Sequence, residues 1–327
     1  TTHAREWPSP EAVTEVIEQL TEIADDDGFG AYLKDNLNVI IVPVLNVDGF
    51  LQTQRFPDRM TADEQQPRDG RQRRKNLRNP NTGGPIDESL DQTSDNFYGI
   101  DLNRNNPNGF GQNNGSSNYV ISLVYRGQRP QTEPEIQALL AAADLGPGDR
   151  LRMYSDVHSF SQIFFTPMIR DPRRDSITAD LVRRMQFTLN SKYRYGPSSD
   201  GIGLTSDFFA STYRIPSWTL ETEPLQPPSA HGHSGFILPE SEVARMRDEV
   251  TLMLLTGLYV QADKPRIQAI RIKDADNDEV RYAADWQPAG SGRSLSVTTN
   301  RALVPGKTYD LWLGFNKPMR WRNDQGD

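Results

Sequence analysis

The chain has 327 residues, 35% of them hydrophobic, so it can bury a large core and form more than one domain. Its net charge of −8 and its pI of about 5.2 argue against a general affinity for nucleic acids or anionic membranes. No apolar run approaches the roughly 18 residues that a membrane-spanning helix needs. Because the chain contains no cysteine, any metal ligands must be histidines and carboxylates.

The spacing of apolar residues predicts alternating helices and strands over most of the chain. Helices are predicted over residues 9–24, after residue 134, and over 175–192 and 239–260; buried strands are predicted over 37–45, 151–157, 162–166 and 215–220. Residues 55–97 are polar and lack periodicity, which predicts a long loop region. This alternation predicts an α/β fold, with a mixed, mostly parallel, twisted sheet covered by helices on both faces.

The composition changes after residue 262. Four short segments there alternate apolar with polar residues, at 266–272, 280–282, 294–298 and 309–315. We therefore predict two domains, residues 1–262 and 263–327. The second is predicted to be a small β-rich module, similar to the immunoglobulin-like appendages of secreted bacterial enzymes. It has too few predicted strands for a closed sandwich, so we expect it to be incomplete.

The first seven residues, Thr-Thr-His-Ala-Arg-Glu-Trp, contain half of a possible metal site. His3 and Glu6 are donors suited to Zn²⁺, and a catalytic zinc normally takes three protein ligands and one water. His158 stands out as a third candidate because it follows a predicted buried strand, and ligands sit at such strand ends in open α/β sheets. The pair His231 and His233 lies in a Pro-rich stretch and is interpreted as a turn.

Six short segments, read in order, carry a family resemblance. They lie at residues 1–7, 46–50, 74–76, 99–105, 158–162 and 218–221. This series resembles the zinc metallocarboxypeptidases of the carboxypeptidase A type, from residue 1 to about residue 262. The resemblance implies one zinc per chain, held by His3, Glu6 and His158. It also implies an exopeptidase that hydrolyses the C-terminal peptide bond of peptides and proteins.

The resemblance assigns three residues to the chemistry around the metal. Asp101 would orient the first ligating histidine by a hydrogen bond. Glu221, which ends an apolar strand, would be the general base, with a pKa raised by partial burial. Arg74 would face the carbonyl oxygen of the scissile bond. Neighbouring arginines leave that register less secure; they are Arg71, Arg73 and Arg78.

Five further residues are expected to bind substrate. Asn103 and Arg104 match the pair that binds the terminal carboxylate, a task suited to guanidinium. Ser159 is expected to contact the substrate, and Tyr195 to cap it. The position that selects the terminal side chain falls at Ser206, which is neither the apolar residue of the A type nor the aspartate of the B type. The side-chain preference therefore stays open.

Other readings of the same residues remain. One relative would keep zinc but hydrolyse cell-wall peptides or amidated substrates, and the presence of Asn103 and Arg104 counts against it. Another would bind peptide termini without cleaving them, and the presence of Glu221 counts against it. A third would give the C-terminal module the main role, as a binding domain.

We expect a monomeric, secreted or periplasmic protein that acts on peptides with a free C-terminal carboxylate and binds no nucleic acid. Family members have a helix and strands before the segment that matches Thr1, so these elements are expected to be missing from this sequence.

Overall fold

The computed structural model describes most of the chain. The described residues are 1–23, 28–55, 70–80, 97–146, 150–199, 202–225, 235–262, 264–265, 267–289 and 292–315. The chain divides into two compact units, Thr1–Ala262 and Asp263–Asp327. Among the described residues, no helix is long and apolar enough to cross a membrane. Most of the predicted loop at 55–97 lies outside this set, as do both histidines of the predicted turn at 231–233.

Seven α-helices are described in the first unit. They are α1 (Pro8–Glu22), α2 (Phe29–Asn36), α3 (Val47–Arg55), α4 (Pro134–Ala143), α5 (Pro172–Phe187), α6 (Thr205–Thr212) and α7 (Glu240–Ala262). Helix α1 begins one residue before the predicted start, because the fixed φ of Pro8 suits a first turn. Ser9 does not cap it; its hydroxyl donates to the carbonyl of Glu6 instead.

A four-stranded sheet forms the centre of this unit. Its strands are β1 (Tyr154–Ser159), β2 (Ile163–Thr166), β3 (Arg194–Pro197) and β4 (Ser217–Thr222), in the order β1-β4-β2-β3. The pairs β1–β4 and β2–β3 are parallel, whereas β2 and β4 are antiparallel. The predicted mixed, mostly parallel sheet is confirmed.

Alternate residues of β1 and β4 face opposite sides of this sheet. Val157, Trp218 and Leu220 point to one side and pack into a core with side chains of α1, α5 and α7. On the other side, Tyr154 stacks on Phe209 of helix α6, with ring centroids 3.8 Å apart. Helices therefore cover both faces, as predicted. Polar residues of the two strands share the α6 side; they are Asp156, His158, Thr219 and Glu221.

Residues 37–45 are not a strand, contrary to the sequence prediction. The segment joins no described sheet, and Val39, Ile40 and Val42 are 39%, 48% and 39% exposed. A strand is defined by hydrogen bonds to a neighbour, and an apolar run alone does not supply that neighbour. The sequence analysis also missed the short elements α2, α3, α6 and β3, which contain too few turns or residues for a clear period.

The second unit is a four-stranded antiparallel sheet. Its strands are β5 (Ile267–Asp274), β6 (Val280–Ala289), β7 (Gly292–Asn300) and β8 (Tyr309–Phe315), in the order β7-β6-β5-β8. Each predicted segment overlaps one of these strands. The β-rich part of the predicted fold is confirmed.

Candidate metal centre and active site

A backbone turn before α1 brings two candidate ligands together. The amide of Glu6 donates to the carbonyl of His3 at 3.1 Å, so residues three apart project to the same side. The amide of Ala4 donates to the carbonyl of Arg74 at 3.2 Å, and Arg71 donates to the carbonyl of Arg5 at 2.5 Å. These bonds fix the turn against the segment that carries the clustered arginines.

Three donor groups converge beside the end of β1. The Nδ1 atom of His3 lies 2.8 Å from Oε1 of Glu6, and Nδ1 of His158 lies 2.8 Å from Oε2 of the same carboxylate. The two Nδ1 atoms are 3.1 Å apart. All three side chains are buried, and the ligand atoms lie within 4.8 Å of one another. The structure thus brings the three predicted zinc ligands together.

Each imidazole of this cluster turns its other nitrogen toward an aspartate. Nε2 of His3 lies 3.1 Å from Asp101, as the resemblance implies, and Nε2 of His158 lies 2.9 Å from Asp156. The sequence analysis did not single out Asp156. Its signal was nevertheless present, because residues two apart on a strand project to the same face, and Asp156 is two residues before His158.

The charge balance of the cluster suits a cation. Burial raises the pKa of Glu6, but the two imidazoles outweigh burial and hold that pKa well below its usual range. Burial and the Arg74 guanidinium lower the pKa of His3. Burial would also lower the pKa of His158, but the carboxylates of Asp156 and Glu6 outweigh it and raise that pKa. Two imidazoles and a carboxylate, with carboxylates behind them, fit the donor set of a catalytic Zn²⁺.

Glu221 occupies the strand position next to His158. The two residues are register partners in the β1–β4 pair, so their side chains project to the same face. The Oε2 atom of Glu221 is buried and has no hydrogen-bond partner among the described residues. Burial, with a further contribution from the charge of Glu6, raises the pKa of Glu221 to about 8. A carboxyl group in this state can take and release a proton near neutral pH.

Arg74 is held by the aspartate behind His3. Its Nε and Nη2 atoms donate to Oδ2 of Asp101 at 3.0 and 2.9 Å. Asp101 also accepts from the amide of Asn103 at 3.1 Å, so one carboxylate links the three segments. Although burial raises the pKa of Asp101, the charges of Arg74 and His3 outweigh it and keep that pKa well below its usual range.

Asn103 and Arg104 lie on a single 3-10 turn, Leu102–Arg104. Oδ1 of Asn103 accepts from the amide of Thr205 at 3.0 Å, which directs the side chain toward the start of α6. Arg104 donates through Nε to Gly115 and through Nη1 to the carbonyl of Asn103, at 2.8 Å each. Neither bond uses Nη2, so this nitrogen is the one that we expect to meet a substrate carboxylate.

The other predicted substrate residues differ in position. Ser206 is fully buried, and its hydroxyl lies 3.2 Å from that of Thr219. The amide of Ser159 donates to Glu6 at 3.3 Å, a supporting contact that the sequence did not suggest. Tyr195 lies on β3, 40% exposed, with its hydroxyl accepting from Thr166 at 3.3 Å. That hydroxyl pairs with Thr166, and the capping role of Tyr195 stays a prediction.

Comparisons with known proteins give the family. The family model described as zinc carboxypeptidase matches residues 1–252. A metallocarboxypeptidase A-like protein of Trichophyton verrucosum is 36% identical over 257 residues, which cover 76% of this chain and 54% of the relative. Carboxypeptidase A1 of Rattus norvegicus is 27% identical over 266 residues, covering 78% and 55%. The chain thus spans about half the length of these curated relatives.

Solved structures agree on the fold. The structure of bovine thrombin-activatable fibrinolysis inhibitor in complex with tick carboxypeptidase inhibitor is similar, with a TM-score of 0.60 at 24% identity over 79% of each chain. Carboxypeptidase A from Helicoverpa armigera has a TM-score of 0.58 at 22% identity, covering 80% of this chain and 59% of that one. With the family match, the chain belongs to the zinc carboxypeptidase family, whose members' cofactor implies one Zn²⁺ per chain.

Proposed function

We propose that this protein is a zinc-dependent exopeptidase that removes single residues from the free C-terminus of peptides. One observation carries the proposal. Glu221 is the register partner of His158, one of the buried donors His3, Glu6 and His158, and its buried Oε2 has no partner among the described residues. Three metal ligands with a proton-accepting group next to them can catalyse hydrolysis of an amide by water.

Glu221 performs the proton transfers in this proposal. When bound, zinc polarises the carbonyl group and makes water a better nucleophile at neutral pH. Oε2 of Glu221 accepts the proton that the attacking water loses and later gives it to the leaving amine. That oxygen is itself buried, so bulk water is largely excluded from it.

The substrate's end is held by the 3-10 turn. Arg104 pairs with the terminal carboxylate through Nη2, and the side-chain Nδ2 of Asn103 also donates to this carboxylate. Arg74, released in part from Asp101, stabilises negative charge on the carbonyl oxygen. The terminal side chain enters beside Ser206 and Thr219, so it meets hydroxyl groups there. Ser159 adds a contact from the end of β1.

We infer that the protein acts outside the cytoplasm, either secreted or in a periplasm. The support is the resemblance to the carboxypeptidase A type, with the family match over residues 1–252. Because the chain contains no cysteine, disulfide formation neither requires nor excludes an oxidising compartment.

Paired peptides test the proposal. One peptide ends in a free carboxylate and its twin in an amide, and release of the last residue is measured for the parent and for Arg104→Ala. The parent should prefer the free acid, and Arg104→Ala should lose about 10- to 100-fold in kcat/KM on it, since a charge-assisted hydrogen bond is removed. The amidated twin should be affected little by the substitution.

Two results would contradict the proposal. Equal loss on both peptides would mean that Arg104 supports the fold. Similar rates of the parent on both peptides, or cleavage inside the peptide, would favour an amidase or an endopeptidase.

A further inference from the structure

The imidazole of His158 has a carboxylate behind it that mirrors the one behind His3. Nε2 of His158 lies 2.9 Å from Oδ2 of Asp156, and Nε2 of His3 lies 3.1 Å from Oδ1 of Asp101. Both Nδ1 atoms point inward to Glu6. A neutral imidazole that binds a metal through Nδ1 must carry its proton on Nε2, and an aspartate at that position accepts it.

Asp156 is itself held rigidly. It is 5% exposed on β1, with Oδ1 accepting from the hydroxyl of Thr2 at 3.2 Å and Oδ2 accepting from the hydroxyl of Thr205. Thr2 directly precedes the ligand His3. Two hydroxyl donors thus fix the orientation of this carboxylate.

The side-chain Nδ2 of Asn103 does not compete with Asp156 as the acceptor of the His158 proton. It lies 3.3 Å from Nε2 of His158, but an amide NH₂ group is a donor only and cannot accept the imidazole proton. Of these two neighbours of Nε2, only Asp156 can accept. The geometry therefore separates a proton-accepting partner from a mere neighbour.

We propose that Asp156 is a positioning residue that fixes the tautomer and orientation of His158, so that the metal centre carries two Asp–His pairs. The inference rests on the zinc site of the proposed function. Loss of such a partner typically costs about 10- to 100-fold in metal affinity. Asp156 acts through His158 and does not touch the substrate.

Zinc affinity of the whole protein tests this role. The dissociation constant for zinc is measured by competition with a chromophoric chelator for the parent, Asp156→Asn and Thr2→Val. Asp156→Asn keeps the shape but loses the charge, and it should weaken zinc binding by about 10- to 100-fold, as Asp101→Asn should. Thr2→Val removes a hydrogen bond from the same carboxylate but keeps its charge, so its zinc affinity should stay within about threefold of the parent value.

A second measurement uses the parent protein and does not depend on whether a variant folds. In the zinc-loaded parent, NMR of the His158 ring should show an Nε2 proton at low field and protected from exchange, as expected for a bond to a carboxylate. An exposed, rapidly exchanging proton there would overturn the inference. Zinc affinity of Asp156→Asn within about threefold of the parent value would overturn it too, as would a loss of zinc affinity in Thr2→Val equal to that in Asp156→Asn. A parent that binds no zinc would instead overturn the proposed function itself.

Discussion

At the scale of single residues, the proton-accepting group makes the sharpest test. Glu221→Gln keeps the shape of the side chain, but an amide cannot accept the proton that water loses. We expect kcat to fall by about 100-fold or more, while zinc content and peptide binding are kept. Steady-state rates, metal analysis and binding of an uncleaved peptide measure the three quantities.

The matched control for this variant lies two residues further along. Glu223→Gln makes the same chemical change, but Glu223 lies just beyond β4 and pairs with Arg245 and Lys192, at 2.6 Å each. Its kcat should stay within about threefold of the parent. A Glu221→Gln enzyme that is as active as this control would remove Glu221 from the role of base.

At the scale of elements, the carboxylate of Glu223 links the end of β4 to Arg245 of α7. Burial raises the pKa of Glu223, but hydrogen bonds from Arg245 and Lys192 outweigh it and lower the pKa to about 2. A carboxylate with a lowered pKa stabilises the folded state above its ordinary pKa of 4.5, and this stability is lost as the pH falls toward 2.

The pH dependence of unfolding checks this tie. Urea unfolding of the parent and of Glu223→Gln should differ by about 1 kcal/mol at pH 6, a modest amount because the partner cations are partly exposed. The difference should shrink steadily between pH 4.5 and pH 2, as the carboxyl group is protonated. A difference that is constant over this range would show that Glu223 contributes by its shape rather than its charge.

The sequence predicted those elements whose residues carry a clear period. The buried alternation that ends in His158 and Glu221 placed both at the ends of strands, and the structure makes them register partners. The sequence could not show that residues 37–45 have no strand beside them, because the pairing of strands is decided by the fold. Nor could it show that Arg74 lies against Asp101, since that contact joins residues 27 apart in the chain.

At the scale of the whole molecule, every proposed site residue lies within Thr1–Ala262. The hydrogen-bond partners described above, such as Thr205, Gly115 and Thr166, lie in this unit too. We therefore expect a chain that ends at Ala262 to keep kcat/KM on a short peptide within about threefold of the parent, because function belongs to the site. Loss of activity in a truncated chain that still shows cooperative unfolding would mean that residues 263–327 contribute to catalysis.

A metal titration is the sharpest test of one catalytic zinc at His3, Glu6 and His158. The protein is stripped with a chelator, zinc is added back stepwise, and release of the C-terminal residue from a free-acid peptide is measured. We predict that activity is absent after stripping and rises linearly to a plateau at one zinc per chain, and that His158→Ala recovers none of it. Hydrolysis that survives stripping, or that His158→Ala recovers to the parent level, would contradict a catalytic zinc at this site.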